Sequence, residues 1–369
     1  MRLFDTVRSS QQYLSSGYGQ GETFESMGKD METGKLKIGF LGAGAWGTTM
    51  GIKLWQAGHK VSLWEISRIK VEKLSHTRRL PGVLPGILLP RGLSYTSDMK
   101  EAVYGIGLLV LAVPCQALRS TLKSLSRVIK DKIPTPGSVV SLIKGLESKT
   151  GLRPSQVWEE FFPKVPVTVV SGPSIAIEVL KGQPTAMVAA GKDPKKVRLV
   201  QHTLSEDNVR VYRSDDPVGV ELAGALKNII AIASGIAEGL GMGTNARAAL
   251  LARGQAEITR LGQKLGARPR TFAGLAGWGD LVTTAWNPSS RNHRVGLGVA
   301  RGKVLQAILE ELGMVAEGVE TCKIARKLGK MYNVEMPITE SVYRVLFRKS
   351  NPGKELERLV SRPLKNEVW

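Results

Sequence analysis

Cysteine is scarce in this chain. Only Cys115 and Cys322 occur among the 369 residues, and two thiols cannot form the disulfide framework of a small secreted protein. Neither cysteine has a spacing typical of metal ligands, so we expect no metal site. Unpaired thiols are typical of a reducing compartment, and we therefore predict a cytoplasmic protein.

Long hydrophobic runs are missing as well. No apolar stretch approaches the roughly twenty residues that a membrane-spanning helix needs, so stable membrane insertion is not expected. Residues 1–34 contain no apolar run of the signal-peptide kind, and acids such as Asp5 and Glu22 argue against a transit peptide. The polar composition of residues 1–34 predicts a disordered N-terminal arm.

Acidic residues are outnumbered by basic ones. The chain has 52 Lys and Arg against 32 Asp and Glu, a formal net charge of +20. Such a surplus suits nucleic acid, an acidic lipid surface or small anionic substrates. No dense basic run, zinc-finger pattern or RNA-binding signature occurs, so we expect no nucleic-acid partner. Two explanations of the charge remain: peripheral contact with an acidic lipid surface, and binding of a small anionic substrate.

Aromatic residues make up only 6% of the chain, whereas glycine occurs 41 times, a balance typical of an α/β protein with many tight turns. Short apolar runs alternate with helical spacing up to about residue 215, which predicts a doubly wound parallel sheet over 35–215. Helical patterns alone follow, which predicts an all-α domain over 216–369. Strands are expected at 37–41 and 61–64, and within 105–114, 137–147, 165–174, 184–191 and 209–214, with a helix over 48–57.

The segment GAGAWG at residues 42–47 has the spacing G-x-G-x-x-G between a predicted strand and a predicted helix. In this context Gly42 permits a tight turn, Gly44 lets the backbone approach a pyrophosphate, and Gly47 lets helix and strand pack closely. The helix N-terminus offers free N–H groups to phosphates. These three glycines are therefore predicted to bind a dinucleotide, the alternative being a glycine-rich turn without a ligand.

Glu65 ends the second predicted strand, about twenty residues after the glycines. A carboxylate at this position can accept a hydrogen bond from the ribose 2′-hydroxyl of NAD, and it would repel the 2′-phosphate of NADP. We therefore predict a preference for NAD over NADP. The alternative is an ordinary surface acid.

Two lysines stand in places where lysine is unusual. Lys144 follows a buried strand, at the sheet edge where ligands bind in open α/β folds. Lys227 lies within an apolar helical pattern, and long charged residues are rarely buried without a partner. A buried lysine near a like charge has a lowered pKa and can exchange a proton at neutral pH. The alternatives are a solvated lysine at 144 and a snorkelling one at 227.

The segment GLAGWGDLVTTAWNPSSRNHRVG at 274–296 supplies further polar groups. Its glycines predict a tight loop that aims the carboxylate of Asp280. Ser290, Arg291 and Asn292 together offer a hydroxyl, a guanidinium fork and an amide, which suit a phosphate monoester.

These motifs together resemble those of the NAD(P)-dependent sn-glycerol-3-phosphate dehydrogenases of the bacterial type. The resemblance covers roughly residues 36–350, and its segments keep the family's order: GAGAWGT, VPCQALR, KGLE, SGPS, LKN, GLAGWGDLV, SRNHRVG and VAEGVET. It implies a Rossmann-like domain joined to a helical domain, and a homodimer in the cytoplasm. It also implies reversible reduction of dihydroxyacetone phosphate to sn-glycerol 3-phosphate, which supplies phospholipid synthesis.

Residue by residue, the resemblance makes Lys227 the proton donor and acceptor, and it makes Lys144 a contact of both substrate and cofactor. The implied substrate contacts are Lys144, Gly172, Ser174, Lys227, Asp280, Ser290, Arg291 and Asn292. Besides the glycines, Glu65 and Lys144, the implied cofactor contacts are Ala45, Trp46, Ala176, Arg291, Val315 and Glu317.

The chain departs from the family at two places. Cys115 replaces the usual serine after Val-Pro, and Glu65 and Ile66 stand where many members carry Arg or His. Two rival hypotheses remain: another β-hydroxyacid-type dehydrogenase, acting on 6-phosphogluconate or ketopantoate, and a non-catalytic NAD-binding sensor. The GWGD and SRN segments argue against the first, and the joint presence of Lys144, Lys227 and Asp280 argues against the second.

Overall fold

The structure, a computed structural model, describes residues 34–130, 137–364 and 366–367. The N-terminal arm predicted for residues 1–34 lies almost wholly outside these described residues. From Leu36 onward the chain forms one compact unit.

Eight strands form a single sheet. In chain order they are β1 Lys37–Leu41, β2 Lys60–Trp64, β3 Ser94–Thr96, β4 Leu108–Leu111, β5 Ser138–Ser141, β6 Val167–Ser171, β7 Thr185–Ala190 and β8 Val209–Ser214. Their order across the sheet is β3-β2-β1-β4-β5-β6-β7-β8. The first six strands are mutually parallel, and the order 3-2-1-4-5-6 is that of a Rossmann fold. The predicted doubly wound α/β sheet is thereby confirmed.

Two details of the sheet differ from the sequence prediction. The edge strand β3 was not predicted, because it has only three residues and no apolar run to mark it. The expectation of a wholly parallel sheet is wrong at β7, which is antiparallel to β6. Between β6 and β7 the chain forms only one five-residue helix, so it returns from the edge at which β6 ends instead of crossing over to the opposite edge.

Seven helices accompany the strands in the first part of the described chain. They are α1 Ala45–Gln56, α2 Arg68–Thr77, α3 Met99–Val103, α4 Leu118–Lys130, α5 Pro154–Phe161, α6 Ala176–Leu180 and α7 Pro194–Leu204. A 3₁₀ turn, Cys115–Ala117, precedes α4. Helix α1 begins three residues before the predicted start at 48, because Ala45 and Trp46 of the glycine segment are already helical.

The described residues after Ser214 contain helices and no further strand. These helices are α8 Pro217–Gly239, α9 Thr244–Lys264, α10 Pro269–Ala273, α11 Asp280–Trp286, α12 Arg291–Ala300, α13 Leu305–Leu312, α14 Glu317–Met331, α15 Pro337–Arg348 and α16 Pro352–Val360. The predicted all-α second part is confirmed. The division into domains at 215 stays a prediction, although β8 ends and α8 begins close to that position.

Helix α8 is the central element of the second part, and all its residues from Gly219 to Ala237 are buried. Its small and aliphatic side chains belong to the core of the helical part, while Val220 packs with Val169 of β6. Among the described residues, α8 alone is long and apolar enough to cross a membrane, but 94% of its apolar window is buried inside the protein. Core helices of soluble proteins have the same character.

Candidate active site

The glycine segment lies where the strand order reverses, between β1 and β4. Gly42 has a φ of +115°, which favours glycine, and a Cβ there would lie 2.6 Å from the carbonyl carbon of Ala112, just after β4. A Cβ on Gly47 would lie 2.4 Å from the carbonyl oxygen of Gly42. Close packing therefore requires both glycines, as the fingerprint predicts. This reversal point is where open α/β sheets bind their ligands.

The start of α1 is free to receive a ligand. Gly44 is the N-cap, no side chain caps the helix, and a Cβ at Gly44 would meet nothing within 4 Å. Ala45, Trp46 and Gly47 form the first turn, whose N–H groups have no partner within the helix. An uncapped helix N-terminus beside open space fits the pyrophosphate of a dinucleotide.

Glu65 follows β2 and lies at the neighbouring strand end. Its Oε1 accepts a hydrogen bond from the backbone N–H of Ser67 at 3.1 Å and lies 3.9 Å from Nζ of Lys70. Arg68, the first residue of α2, is paired instead with Glu72 at 3.0 Å. The acid is thus held at the strand end by the backbone, and Arg68 has its own partner.

The carboxylate of Asp280 joins the two predicted lysines. Lys144, beyond β5, donates to Oδ2 at 2.6 Å, and Lys227, from α8, donates to Oδ1 at 2.9 Å. Nζ of Lys144 also donates to the carbonyl oxygen of Gly172 at 3.0 Å and to Oγ of Ser174 at 3.1 Å. Five of the predicted substrate residues therefore meet at one point, between the sheet and the helical part.

Burial sets the protonation of this cluster. Lys227 is 4% exposed and Asp280 is 2% exposed. Burial lowers the pKa of Lys227 to about 8; the carboxylate of Asp280 opposes the shift, and the charge of Lys144 adds to it. Burial disfavours ionisation of Asp280, but both lysines outweigh it and hold the pKa of Asp280 below its usual range. The cluster thus contains an ionised acid beside an amine that can exchange a proton near neutral pH.

The local fold before Asp280 aims its side chain inward. Residues Leu275–Gly279 form a π-helical turn, and Asp280 is the first residue of α11. A Cβ on Gly277 would lie 2.0 Å from the carbonyl oxygen of Phe272, so this turn accepts only glycine there. Such π turns are frequent at functional sites.

Thr284 is a member of the cluster that the sequence reasoning missed. Its hydroxyl accepts a hydrogen bond from Nζ of Lys227 and donates to the carbonyl oxygen of Asp280 at 2.7 Å. Thr284 stands four residues after Asp280, and residues at this spacing share a helix face. That spacing is the signal by which it could have been found.

The Ser-Arg-Asn segment begins α12. Ser290 is the N-cap, and its hydroxyl accepts from the backbone N–H of His293 at 3.3 Å. Asn292 is buried, donates to Oδ1 of Asn228 at 2.9 Å, and accepts from the N–H of Gly318 at 3.0 Å. Asn228 directly follows Lys227, so Asn292 is connected to the lysine cluster through a residue that was not predicted.

A second connection leads back to the end of β4. Arg291 donates from Nη1 to the carbonyl oxygen of Val315 at 2.7 Å, and Glu317 accepts from the backbone N–H of Cys115 at 3.0 Å. The other carboxylate oxygen of Glu317 is buried without a partner among the described residues. Burial raises the pKa of Glu317. The hydrogen bond from Cys115 and the positive charge of Arg291 oppose this shift. An unsatisfied buried oxygen at this strand end is available for a ligand's N–H group.

Ala176, the remaining predicted cofactor contact, is the first residue of α6, two residues after Ser174. The described residues contain no group of three His, Cys, Asp or Glu side chains that could hold a metal ion. Contacts along the chain of residues described above connect the glycine turn with the end of β4, and the segment after β4 with the start of α12 and the helix that contains Lys227.

The sequence matches two family models along most of its length. Residues 37–197 match the N-terminus of NAD-dependent glycerol-3-phosphate dehydrogenase, and residues 216–357 match its C-terminus. The chain belongs to the NAD-dependent glycerol-3-phosphate dehydrogenase family. The resemblance inferred from the sequence motifs is thereby confirmed.

Relatives of this dehydrogenase family align over nearly the whole chain. A glycerol-3-phosphate dehydrogenase [NAD(P)+] of Thermoanaerobacter sp. is 44% identical over 333 residues, 90% of this chain and 99% of that protein. The Geobacter sulfurreducens protein of the same name is 45% identical over 337 residues, again covering 90% and 99%. Both names include NAD and NADP, and the family accordingly uses a nicotinamide dinucleotide.

Solved structures agree with this family membership. The glycerol-3-phosphate dehydrogenase of Coxiella burnetii, 34% identical, superposes with a TM-score of 0.85 over 89% of this chain and 99% of its own. A ketopantoate reductase of Ralstonia eutropha, 17% identical, reaches a TM-score of 0.52 over 87% and 99%. The second likeness shows the fold alone and does not favour the rival β-hydroxyacid substrates.

Proposed function

We propose that this chain catalyses the reversible, NAD(P)H-dependent reduction of dihydroxyacetone phosphate to sn-glycerol 3-phosphate. The observation that carries the proposal is the buried carboxylate of Asp280 with a different lysine on each oxygen. The bound nicotinamide cofactor supplies or accepts the hydride. The protein must therefore place the ketone, stabilise its oxygen and deliver one proton.

Lys227 is the proton donor in reduction and the acceptor in oxidation. Its lowered pKa of about 8 leaves it protonated at neutral pH yet able to release the proton, which suits a general acid. Asp280 and Thr284 fix the direction of its N–H bonds. Lys144 places a second ammonium group beside Asp280. This group stabilises the negative charge that develops on the ketone oxygen.

Arg291 and Asn292 bind the phosphate group of the substrate, with Ser290, Gly172 and Ser174 as further contacts. The guanidinium uses one N–H on Val315, so its remaining donors are free for a phosphate oxygen. Asn292 is oriented by its two hydrogen bonds. The start of α12 and the segment before α6 thus recognise the phosphate, while the two lysines face the carbonyl group.

The cofactor lies along the glycine turn, with its pyrophosphate at the start of α1 and its ribose at Glu65. Ala45, Trp46, Ala176, Val315 and Glu317 complete its contacts. The position of Glu65 supports a preference for NAD, with NADP as the weaker cofactor. The division at 215 then separates a cofactor domain from a substrate domain.

We also propose a cellular role, an oligomeric state and a surface contact for this enzyme. The product is the phosphorylated backbone of glycerolipids, which supports a place in phospholipid synthesis. A cytoplasmic homodimer follows from the family resemblance, and the +20 charge supports transient contact with acidic lipid surfaces. Light scattering and vesicle sedimentation would test the dimer and the lipid contact separately.

The decisive experiment follows the absorbance of NADH while dihydroxyacetone phosphate, 6-phosphogluconate and ketopantoate are supplied in turn. We expect oxidation of NADH with dihydroxyacetone phosphate alone. Turnover with another substrate would support the rival dehydrogenases, and cofactor binding without any turnover would support the sensor.

A further inference from the structure

Helices α12 and α13 border a cavity of about 200 Å³ that is open to solvent on one side and lies outside the site described above. One face of α12 contributes Arg294, Leu297 and Gly298, and Arg301, the residue that caps the C-terminus of α12, continues the spacing i, i+3, i+4, i+7 of a single helix face. The floor is apolar, formed by Leu297, Ile308 and Leu312. A volume of 200 Å³ equals the share of about seven waters in the liquid, which is room for a small organic molecule.

The rim of this cavity carries unbalanced positive charge. Lys303 pairs with both carboxylate oxygens of Glu311 at 2.8 Å, so these two charges cancel. Arg294 and Arg301 are exposed, and neither has a partner among the residues that the structure describes. Two free guanidinium groups over an apolar floor suit an anion with a hydrophobic body.

The cavity is also connected to the phosphate-binding residues. Helix α12 begins with Arg291 and Asn292, and α13 leads through Gly313 to Val315 and Glu317. The hydrogen bond from Arg291 to Val315 joins the start of α12 to the segment after α13. A ligand that fills this pocket and shifts α12 relative to α13 would therefore disturb the hydrogen bond to Val315 that orients the guanidinium group of Arg291.

We propose that the α12–α13 cavity binds a short-chain aliphatic carboxylate, with its carboxylate on Arg294 and Arg301 and its chain on the apolar floor. Occupation of the cavity weakens phosphate recognition at Arg291 and raises the KM for the phosphorylated substrate. This second statement rests on the proposed function, whereas the binding itself does not.

Calorimetric titration of the full-length protein with octanoate, in the absence of substrate, tests the binding. Octanamide supplies the chain without the charge, and sulfate supplies charge without the chain. We expect one octanoate site and at least about tenfold weaker binding of either partial ligand. Equal binding of sulfate would overturn the role of the apolar floor, and equal binding of octanamide would overturn the role of the arginines.

Two variants assign the site. The double substitution Arg294→Gln and Arg301→Gln should weaken octanoate binding about tenfold or more, whereas Arg270→Gln with Arg348→Gln, two exposed arginines elsewhere, should leave it unchanged. Leu312→Trp should abolish octanoate binding by filling the cavity while both arginines remain. Unchanged affinity in the double variant or in Leu312→Trp would place the ligand elsewhere and overturn the proposal.

The coupling is measured separately. Saturating octanoate should raise the KM for dihydroxyacetone phosphate several-fold at constant kcat in the native enzyme and leave it unchanged in the double variant. Binding of octanoate without a change in KM would overturn the coupling. Because calorimetry needs no turnover, an inactive protein would contradict the proposed function without affecting the binding result.

Discussion

The ammonium group of Lys227 lies 2.9 Å from Oδ1 of Asp280, and both side chains are almost completely removed from solvent. A buried ion pair contributes little net stability, because desolvation of the two charges offsets their attraction. The pair is therefore better explained by chemistry than by folding.

Lys227→Met should lower kcat by about 10²-fold or more, since a positioned acid–base group is worth at least that much. The matched control is Lys53→Met. Lys53 lies in the C-terminal half of α1, is also buried, and pairs with Asp207 at 3.0 Å. The control should keep its turnover. Near-normal kcat in Lys227→Met, with NADH oxidation as the assay, would remove Lys227 from the mechanism.

The pH profile should show the lowered pKa of Lys227. Reduction needs the ammonium form, so its kcat/KM should fall as pH rises through about 8. Oxidation of glycerol 3-phosphate needs the neutral amine, so its kcat/KM should rise through the same pH. Lys144→Met removes a like charge, which should raise the pKa of Lys227 and move both limbs to higher pH. If the two kcat/KM profiles of Lys144→Met have the same midpoint pH as those of the native enzyme, the titrating group is not Lys227.

Arg291→Ala should raise the KM for dihydroxyacetone phosphate roughly tenfold or more, because a charge-assisted contact to phosphate is worth about 1.5–3 kcal/mol. Sulfate should inhibit the native enzyme competitively and inhibit the variant less. Arg270→Ala, at an exposed arginine of α10, is the control and should change neither quantity. Equal inhibition of native enzyme and Arg291→Ala by sulfate would mean that the phosphate binds elsewhere.

The native enzyme should have a higher kcat/KM for NADH than for NADPH, and Glu65→Arg should reverse this order. The carboxylate of Glu65 favours ribose hydroxyls and repels a 2′-phosphate. Glu72→Gln releases Arg68 from its ion pair and should leave the preference intact. Better use of NADPH by the native enzyme, or by Glu72→Gln, would show that Arg68 governs this pocket.

Much of the sheet was predictable because its strands are local apolar runs. The bounds of β1 match the prediction residue for residue, and the glycine turn was identified from spacing alone. The strand β3 was missed because three residues carry too little pattern. The reversed direction of β7 depends on how the chain turns after β6, which hydrophobic periodicity does not encode.

The charged members of the site were predictable because a lysine or an acid in an apolar pattern is unusual. Their partners were harder to predict. Thr284 and Asn228 are ordinary residues of helices, and only the approach of α11 and α12 to α8 gives them a role. The backbone N–H of Cys115, which holds Glu317, has no signature in a sequence at all.

The burial of α8 has a consequence for folding kinetics. Gly224 lies so close to β6 that a Cβ there would be 2.5 Å from Oγ of Ser171, while the same helix forms the middle of the helical core. Lys227 can reach its native position only after sheet and helices have both docked on α8. Larger chains commonly acquire secondary structure before such docking is complete. During refolding, catalytic activity should therefore return later than the helical circular-dichroism signal.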